Sequence, residues 1–326
     1  MPDSIKIAAI GAGGMANGVH YPSLASFPDV HLAALCDLDT KKLEETAAKF
    51  GFESTFTNHH KMLEAVKPDA VYALMPPHHV FDVAMDVLQA GIPLFVEKPP
   101  AVTTEQARAM GRLAGQQGVV TAVGFQRRYH PLFQRCFEEV KQSGPVHQVV
   151  STFYKCMPPA DPSPYYRGAI DILRCDAIHA VDSLRFYAGL SPVKAVASEV
   201  RELDCAFPVS FNALVYFENG TVGILLANWR SGRRVLALEF HSTGAYARME
   251  VDGEGSVWKD DGKDPVFQAA HDAEYAEHHV HQGFLAENRA FIDAVKSRTP
   301  PHNSIPDAVH SMALADQIYA QAINTG

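Results

Sequence analysis

Glu97 and Lys98 stand together directly behind the apolar run IPLFV (92–96), and two prolines, Pro99 and Pro100, follow them. A lysine on the rim of a cleft can donate to a hydroxyl or carbonyl oxygen and stabilise negative charge developing there. A carboxylate beside it favours the charged amine, and burial disfavours it. Further along, CDAIHAVD (175–182) sets Asp176 and His179 three residues apart in a helical pattern, and His179 and Asp182 likewise. On a helix this spacing brings an imidazole beside a carboxylate, the arrangement of a proton shuttle near neutral pH. Taken singly, the first motif is also an ordinary solvated turn and the second an ordinary structural helix.

The loop IGAGGMA (10–16) gives both motifs a context. Gly11, Gly13 and Ala16 fall in the spacing G-x-G-x-x-A. The first glycine allows a tight turn, the second lets backbone approach a pyrophosphate, and the small third residue lets helix and strand pack closely. The start of the following helix attracts phosphate charge. Asp37 ends the next apolar run, where an acid accepts from a ribose 2′-hydroxyl and repels a 2′-phosphate. The set points to a bound dinucleotide, NAD in preference to NADP. Met75, Pro76 and Pro77, in MPPHH (75–79), end a further apolar run. Ligands of parallel sheets lie outside the carboxyl ends of the strands, so these three should line the same cleft as Glu97 and Lys98. His79 is counted with them, although His78 and His79 also suit the solvated start of a helix.

Such placement requires a particular fold. Apolar runs at 5–10, 31–36, 54–58, 69–75, 92–96 and 119–125 alternate with helical patterns. Near-continuous apolar strands separated by helices predict a parallel sheet covered on both faces, hence a doubly wound α/β domain. Asp39 and Thr40 are N-cap candidates for the helix after the second run. Beyond a helical segment and VHQVVSTFY the rhythm changes. A helix is predicted over about 176–188, then strands over 193–201, 209–217, 221–229, 234–242 and 245–251, joined by turns such as ENGT and STGA. This predicts a largely antiparallel sheet in an α+β second domain, with helices at 283–297 and 305–323 closing the chain. The domains are therefore set at 1–124 and 125–326.

Bulk properties narrow the class. The chain has 326 residues, 47% hydrophobic and 20% charged, with a net charge of −9. That charge argues against nucleic-acid or anionic-membrane partners. No apolar run reaches the roughly 18 residues of a membrane span. The N-terminus enters a strand pattern without a signal-peptide core, and the odd, scattered set of 5 cysteines suits reduced thiols; a cytoplasmic location is expected. His271, His278, His279 and His281 lack the i,i+4 spacing of a helical zinc site, and no metal is expected.

The glycine loop, the acid after strand two, Pro76–Pro77, AGIPLFVEKP, VGFQRRYHP and CDAIHAVD occur in one order that resembles the Gfo/Idh/MocA oxidoreductase family, named for glucose–fructose oxidoreductase and inositol dehydrogenase. The resemblance covers nearly the whole chain, including the closing helices. It implies an N-terminal Rossmann domain and a second domain with an open, mostly antiparallel sheet that serves as a homodimer or homotetramer face. It implies that Lys98 is the catalytic-site lysine, set by Glu97 and Pro99, and that His179 is the catalytic histidine, with Asp176 as its acid. In the family the acid stands four residues before the histidine; here Cys175 holds that place and Asp176 is next to it. Gly11, Gly13, Met15, Ala16, Asp37, Met75, Pro76, Pro77, His79, Glu97, Lys98 and Gln126 match the cofactor side. Gln126 takes the usual place of an asparagine. Arg127 and Arg128 begin the substrate side, with Tyr154, Tyr165, Tyr166, Arg167, Trp229 and Arg230 as candidate contacts. The activity implied is NAD-dependent oxidation of a secondary alcohol of a sugar, cyclitol or derivative. The same fold also serves NAD-binding sensors without turnover and NAD-assisted hydrolases or lyases.

Overall fold

The computed structural model describes residues 4–158, 165–269 and 277–323. The first part alternates strand and helix: β1 (Ile5–Ile10), a helical turn (Ala16–His20) running into α1 (Tyr21–Ala25), β2 (Val30–Cys36), α2 (Thr40–Phe50), β3 (Ser54–Phe56), α3 (His59–Val66), β4 (Ala70–Ala73), α4 (Pro77–Gln89), β5 (Leu94–Val96), α5 (Thr104–Gln117) and β6 (Thr121–Val123). The strands form one parallel sheet in the order β3-β2-β1-β4-β5-β6. Ile7, Ala8 and Ala9 of β1, Val71 and Tyr72 of β4, and Leu94 and Phe95 of β5 are wholly buried. Helices cover such a sheet on both sides, so its strands carry apolar residues without alternation. Local sequence sets the helix starts. Asp39 caps α2 by accepting from the Lys42 N–H (3.2 Å), and Thr103 and Gln106 form a reciprocal capping box on α5.

The second part holds α6 (Pro131–Lys141), β7 (Gln148–Cys156), α7 (Ile172–Cys175), α8 (Ile178–Tyr187), β8 (Val193–Arg201), β9 (Ser210–Phe217), β10 (Val222–Asn228), β11 (Arg230–Ser242), β12 (Ala245–Glu250), β13 (Gly255–Lys259) and β14 (Phe267–Ala269). After these come α9 (His278–His281), α10 (Phe284–Ser297) and α11 (Ile305–Ala320). The second sheet has eight strands in the order β14-β13-β12-β11-β7-β10-β9-β8. It is antiparallel except where β10 runs parallel to β7. Burial alternates along β10 and along β7 as far as Tyr154, so one face of the sheet is the covered one. The short strands β13 and β14 lie beyond the strands that the sequence pattern predicts.

The helix predicted over about 176–188 forms as α8, and a separate single turn precedes it. α7 ends at Cys175 and α8 begins at Ile178, with Asp176 and Ala177 between them. Asp171 caps α7 by accepting from the Arg174 N–H (3.0 Å), which starts this single turn upstream of the predicted helix.

By contacts the chain divides into two compact units, residues 1–126 with 277–310, and 127–276 with 311–326. Segment 277–310 thus groups with the first unit, whereas the sequence boundary kept all of 125–326 together. The reason is apolar: Phe291 and Ile292 of α10 belong to the core that holds Tyr72 and Phe95, with the Phe291 ring edge-on to Tyr72 at 5.4 Å and to Phe95 at 5.6 Å. Among the described residues, no helix is long and apolar enough to cross a membrane.

Gly11 is demanded by this packing. Its φ is +109°, and a Cβ there would lie 2.2 Å from the Leu74 carbonyl oxygen at the end of β4. Gly13 differs, since a Cβ there would meet nothing within 4 Å. Gly11→Ala is expected to cost about 1–3 kcal/mol and to lower the thermal unfolding midpoint, whereas Gly13→Ala leaves it unchanged. Equal midpoints for the two variants would contradict the packing account.

Candidate active site

The first unit gathers the dinucleotide motifs at the carboxyl ends of its strands. Gly13, Gly14 and Met15 expose the loop behind β1, while Ala12 and Ala16 are buried. Asp37, at the end of β2, fixes that loop: its Oδ2 accepts from the Ala12 N–H (2.6 Å) and its Oδ1 from the Asp39 N–H (2.8 Å). Asn17 adds a second tie, donating to the carbonyl oxygens of Ala12 (3.1 Å) and Gly13 (3.2 Å). Leu38 follows Asp37 with 86% of its surface exposed, an apolar flank for a flat ring that sequence reasoning passed over. Burial, then the Asp37 charge, pushes the neighbouring Cys36 thiol up to about 11, so it stays protonated. At the end of β4, Met75 is half-buried, Pro76 exposed and Pro77 buried as the first residue of α4; His79 is exposed and its ring lies 3.9 Å from that of His78. Exposed loop backbone, an acid after β2 and an exposed apolar neighbour fit a dinucleotide.

Glu97 is the most constrained of these residues. Its Oε1 meets His20 Nε2 at 2.8 Å, and its Oε2 accepts from the backbone N–H of Lys98 at 3.0 Å. A Cβ on Gly124 would come within 3.0 Å of the carboxyl group, so the chain after β6 leaves just enough room for it. Glu97 therefore grips Lys98 through the main chain. The Lys98–Pro99 peptide bond is cis. His20 is wholly buried, edge-on to Phe95 (5.2 Å) and Phe284 (5.8 Å), with its Nδ1 3.2 Å from Asn288 Oδ1. Neither His20 nor Asn288 stands out in the sequence; only the return of α10 to this unit brings them to Glu97.

In the second unit the break between α7 and α8 frees Asp176 to turn toward β7. Its Oδ2 pairs with Lys155 and accepts from the Tyr165 hydroxyl at 2.7 Å. Trp229 Nε1 donates to the same hydroxyl at 3.2 Å. The Lys155 ammonium stands over the rings of Phe153 (5.3 Å) and Trp229 (5.8 Å). Burial, reinforced by the Asp176 charge, holds the Tyr165 phenol well above its usual range. Lys155 keeps 31% of its side chain exposed and Asp176 13%, so the cluster reaches solvent. His179 lies in the first turn of α8, buried, with its backbone N–H donating to the Asp176 carbonyl (3.3 Å). Cys175 is buried, at 4% exposure. Of the acids flanking His179, Asp182 is committed elsewhere: it takes Arg128 Nε (2.8 Å) and Nη2 (2.5 Å), and Ser311 Oγ (2.6 Å), all buried.

The remaining predicted residues scatter. Gln126 and Arg127 are buried, at 4% and 7% exposure. Trp229, 1% exposed, backs Tyr165 and packs on Phe153 at 5.0 Å. Tyr154 is not among the Asp176 neighbours: strand alternation turns it to the uncovered sheet face and turns Lys155 to the other. Tyr166 and Arg167 sit on an exposed turn, both at positive φ. Arg230 is paired with Asp204 (2.6 Å). His271 lies outside the described residues, and His279 pairs with Glu277 at 3.4 Å. The described residues that do bring three ligand-type atoms within 4.8 Å of one another are His59, His60 and Asp86.

Comparison with known proteins agrees with this geometry. Residues 5–125 match the family described as "Oxidoreductase family, NAD-binding Rossmann fold". The chain is 36% identical to D-glucoside 3-dehydrogenase of Escherichia coli over 136 residues, which is 42% of this chain and 39% of that protein. It is 24% identical to inositol 2-dehydrogenase of Rhizobium meliloti over 329 residues, covering 96% of this chain and 95% of that one. A dehydrogenase from Chromobacterium violaceum has the same fold, with a TM-score of 0.88 at 20% identity over 98% of this chain and 96% of that one. Residues 5–125 thus match the NAD-binding Rossmann part of the Gfo/Idh/MocA oxidoreductase family, and nearly the whole chain is similar to an inositol dehydrogenase.

Proposed function

We propose that this oxidoreductase is an NAD-dependent dehydrogenase that interconverts a secondary alcohol and a ketone on a sugar, cyclitol or derivative. The single observation that carries the proposal is Lys98, held on the rim of an NAD-binding fold by the Glu97 carboxylate. In this mechanism Lys98 donates a hydrogen bond to the substrate oxygen and stabilises its partial negative charge. His179 takes the hydroxyl proton, and in the reverse direction returns it. The C–H electron pair leaves as hydride and the C=O bond forms. NAD, when bound, supplies the carbon that accepts the hydride. Asp176 and Lys155 present an acceptor and a donor, with Tyr165 donating to Asp176 to hold it, a set suited to a hydroxyl-bearing substrate. The relatives named D-glucoside 3-dehydrogenase and inositol 2-dehydrogenase support a polyhydroxylated substrate.

Asp37 supports NAD over NADP, because its carboxylate accepts from a 2′-hydroxyl and repels a 2′-phosphate. The first unit is assigned to the cofactor and the second to the substrate and to self-association. The uncovered face of the second sheet, with Leu214, Ile224 and Leu226 half-buried and Tyr216 42% exposed, supports a homodimer or homotetramer. Five cysteines, none of them in a disulfide, support a reducing, cytoplasmic setting.

The test is a screen of sugars, inositols and sugar acids with NAD and NADP, read as reduced-cofactor absorbance. Substrate consumed without net NADH would instead indicate a hydrolase or lyase that oxidises transiently. With the substrate found, Lys98→Ala is expected to lower kcat by about 10²–10³-fold with NADH binding nearly intact; retained turnover would remove its assigned role. Asp37→Ala is expected to weaken NAD binding by about 10–100-fold and to narrow the gap to NADP, measured by calorimetry. Preference of the parent protein for NADP would overturn the cofactor assignment.

A further inference from the structure

We infer that His20 is a positioning residue for Lys98, and that it acts as an imidazolium, with a proton on each ring nitrogen, paired to the Glu97 carboxylate. The inference rests on the proposed role of Lys98 and adds the group that holds it. The warrant is a chain of hydrogen-bond directions. Asn288 Nδ2 lies 2.8 Å from the Phe284 carbonyl oxygen, an acceptor only, so the amide nitrogen must point there. Asn288 Oδ1 then faces His20 Nδ1 at 3.2 Å, and an amide oxygen can only accept. Nδ1 therefore carries a proton. In a neutral ring Nε2 would then present a lone pair, yet it lies 2.8 Å from Glu97 Oε1, a carboxylate oxygen with lone pairs of its own. A second proton must lie between them. Flipping the Asn288 amide does not remove the need, since it would set two carbonyl oxygens 2.8 Å apart.

The surroundings favour a closed pair. The groups packed on His20 are Phe95, Phe284 and Tyr72, the last with ring centroids 6.3 Å apart. Burial, chiefly, holds the Tyr72 phenol well above its usual range, so it adds no charge. Glu97 is the carboxylate that the wholly buried His20 meets directly, and the pair is neutral as a unit; Glu287, a second buried acid on α10, acts on the Tyr72 phenol. Both Glu97 oxygens are engaged, one by His20 and one by the Lys98 main chain, which leaves the turn fixed.

The full chain with 15N-labelled histidine tests this directly. Near neutral pH, the His20 signals, assigned by their loss in His20→Gln, are expected to show both ring nitrogens protonated. A single proton, on either nitrogen, would overturn the inference. The spectrum needs no substrate, so it separates this inference from the dehydrogenase proposal. Kinetically, His20→Gln keeps a donor toward Glu97 but cannot carry the charge. It is expected to lower kcat by about 10–100-fold with KM nearly unchanged and NADH affinity changed by less than about threefold. An unchanged kcat would refute the role. Should His20→Gln fail to fold, Phe284→Leu, which removes the ring packed edge-on to His20 at 5.8 Å, assigns the same signals by their shift.

Discussion

The carboxylate of Glu97 is the constraint around which the first unit is arranged. It is nearly enclosed and it meets three demands at once: an imidazole on one oxygen, the Lys98 main chain on the other, and a residue without a Cβ at Gly124, where a Cβ would crowd the carboxyl group. Removing one partner from a buried pair costs about 3–5 kcal/mol, because the other group is left without its match. The elements that meet these demands come from opposite ends of the chain. His20 ends the helical turn behind the glycine loop, while Asn288 and Phe284 lie on α10. This explains why α10 groups with the first unit. Its aromatic residues complete the core around Tyr72 and Phe95, and its polar residue completes the shell around His20.

A second device works in the other unit. A continuous helix through residues 175–182 would have rotated Asp176 by about 100° from the place of Cys175. The break at Asp176 and Ala177 removes that geometry, and Asp176 instead accepts from Lys155 and Tyr165. Asp182, which the sequence makes equally eligible, is held by Arg128 and Ser311 in the interior. One acid near His179 thus stays within reach of solvent and the other becomes structural.

Much of this was legible in the sequence, for physical reasons that differ by residue. The alternation of apolar runs and helices fixes a doubly wound sheet because strands covered on both faces must be apolar throughout. Gly11, Asp37 and Lys98 are legible because their spacing from strand ends is short and local. His20, Asn288, Gly124 and Lys155 are not, since each matters through a partner far along the chain, and local periodicity does not carry such pairings. Tyr154 and Lys155 show the limit within one strand: both are polar residues near its end, and only the sheet register tells which faces Asp176. The return of 277–310 to the first unit was hidden for the same reason, because its helical pattern does not say which core it completes.

The central claim is that Glu97 serves the chemistry by holding Lys98. Glu97→Gln keeps the size of the side chain and can still accept from the Lys98 N–H, but its amide cannot pair with a charged His20. The most direct measurement is single-turnover reduction of bound cofactor by the substrate, compared between the parent and Glu97→Gln, with NADH affinity measured alongside. A rate at least about tenfold lower, with affinity changed by less than about threefold, is predicted. An unchanged rate with the pair broken would contradict the account.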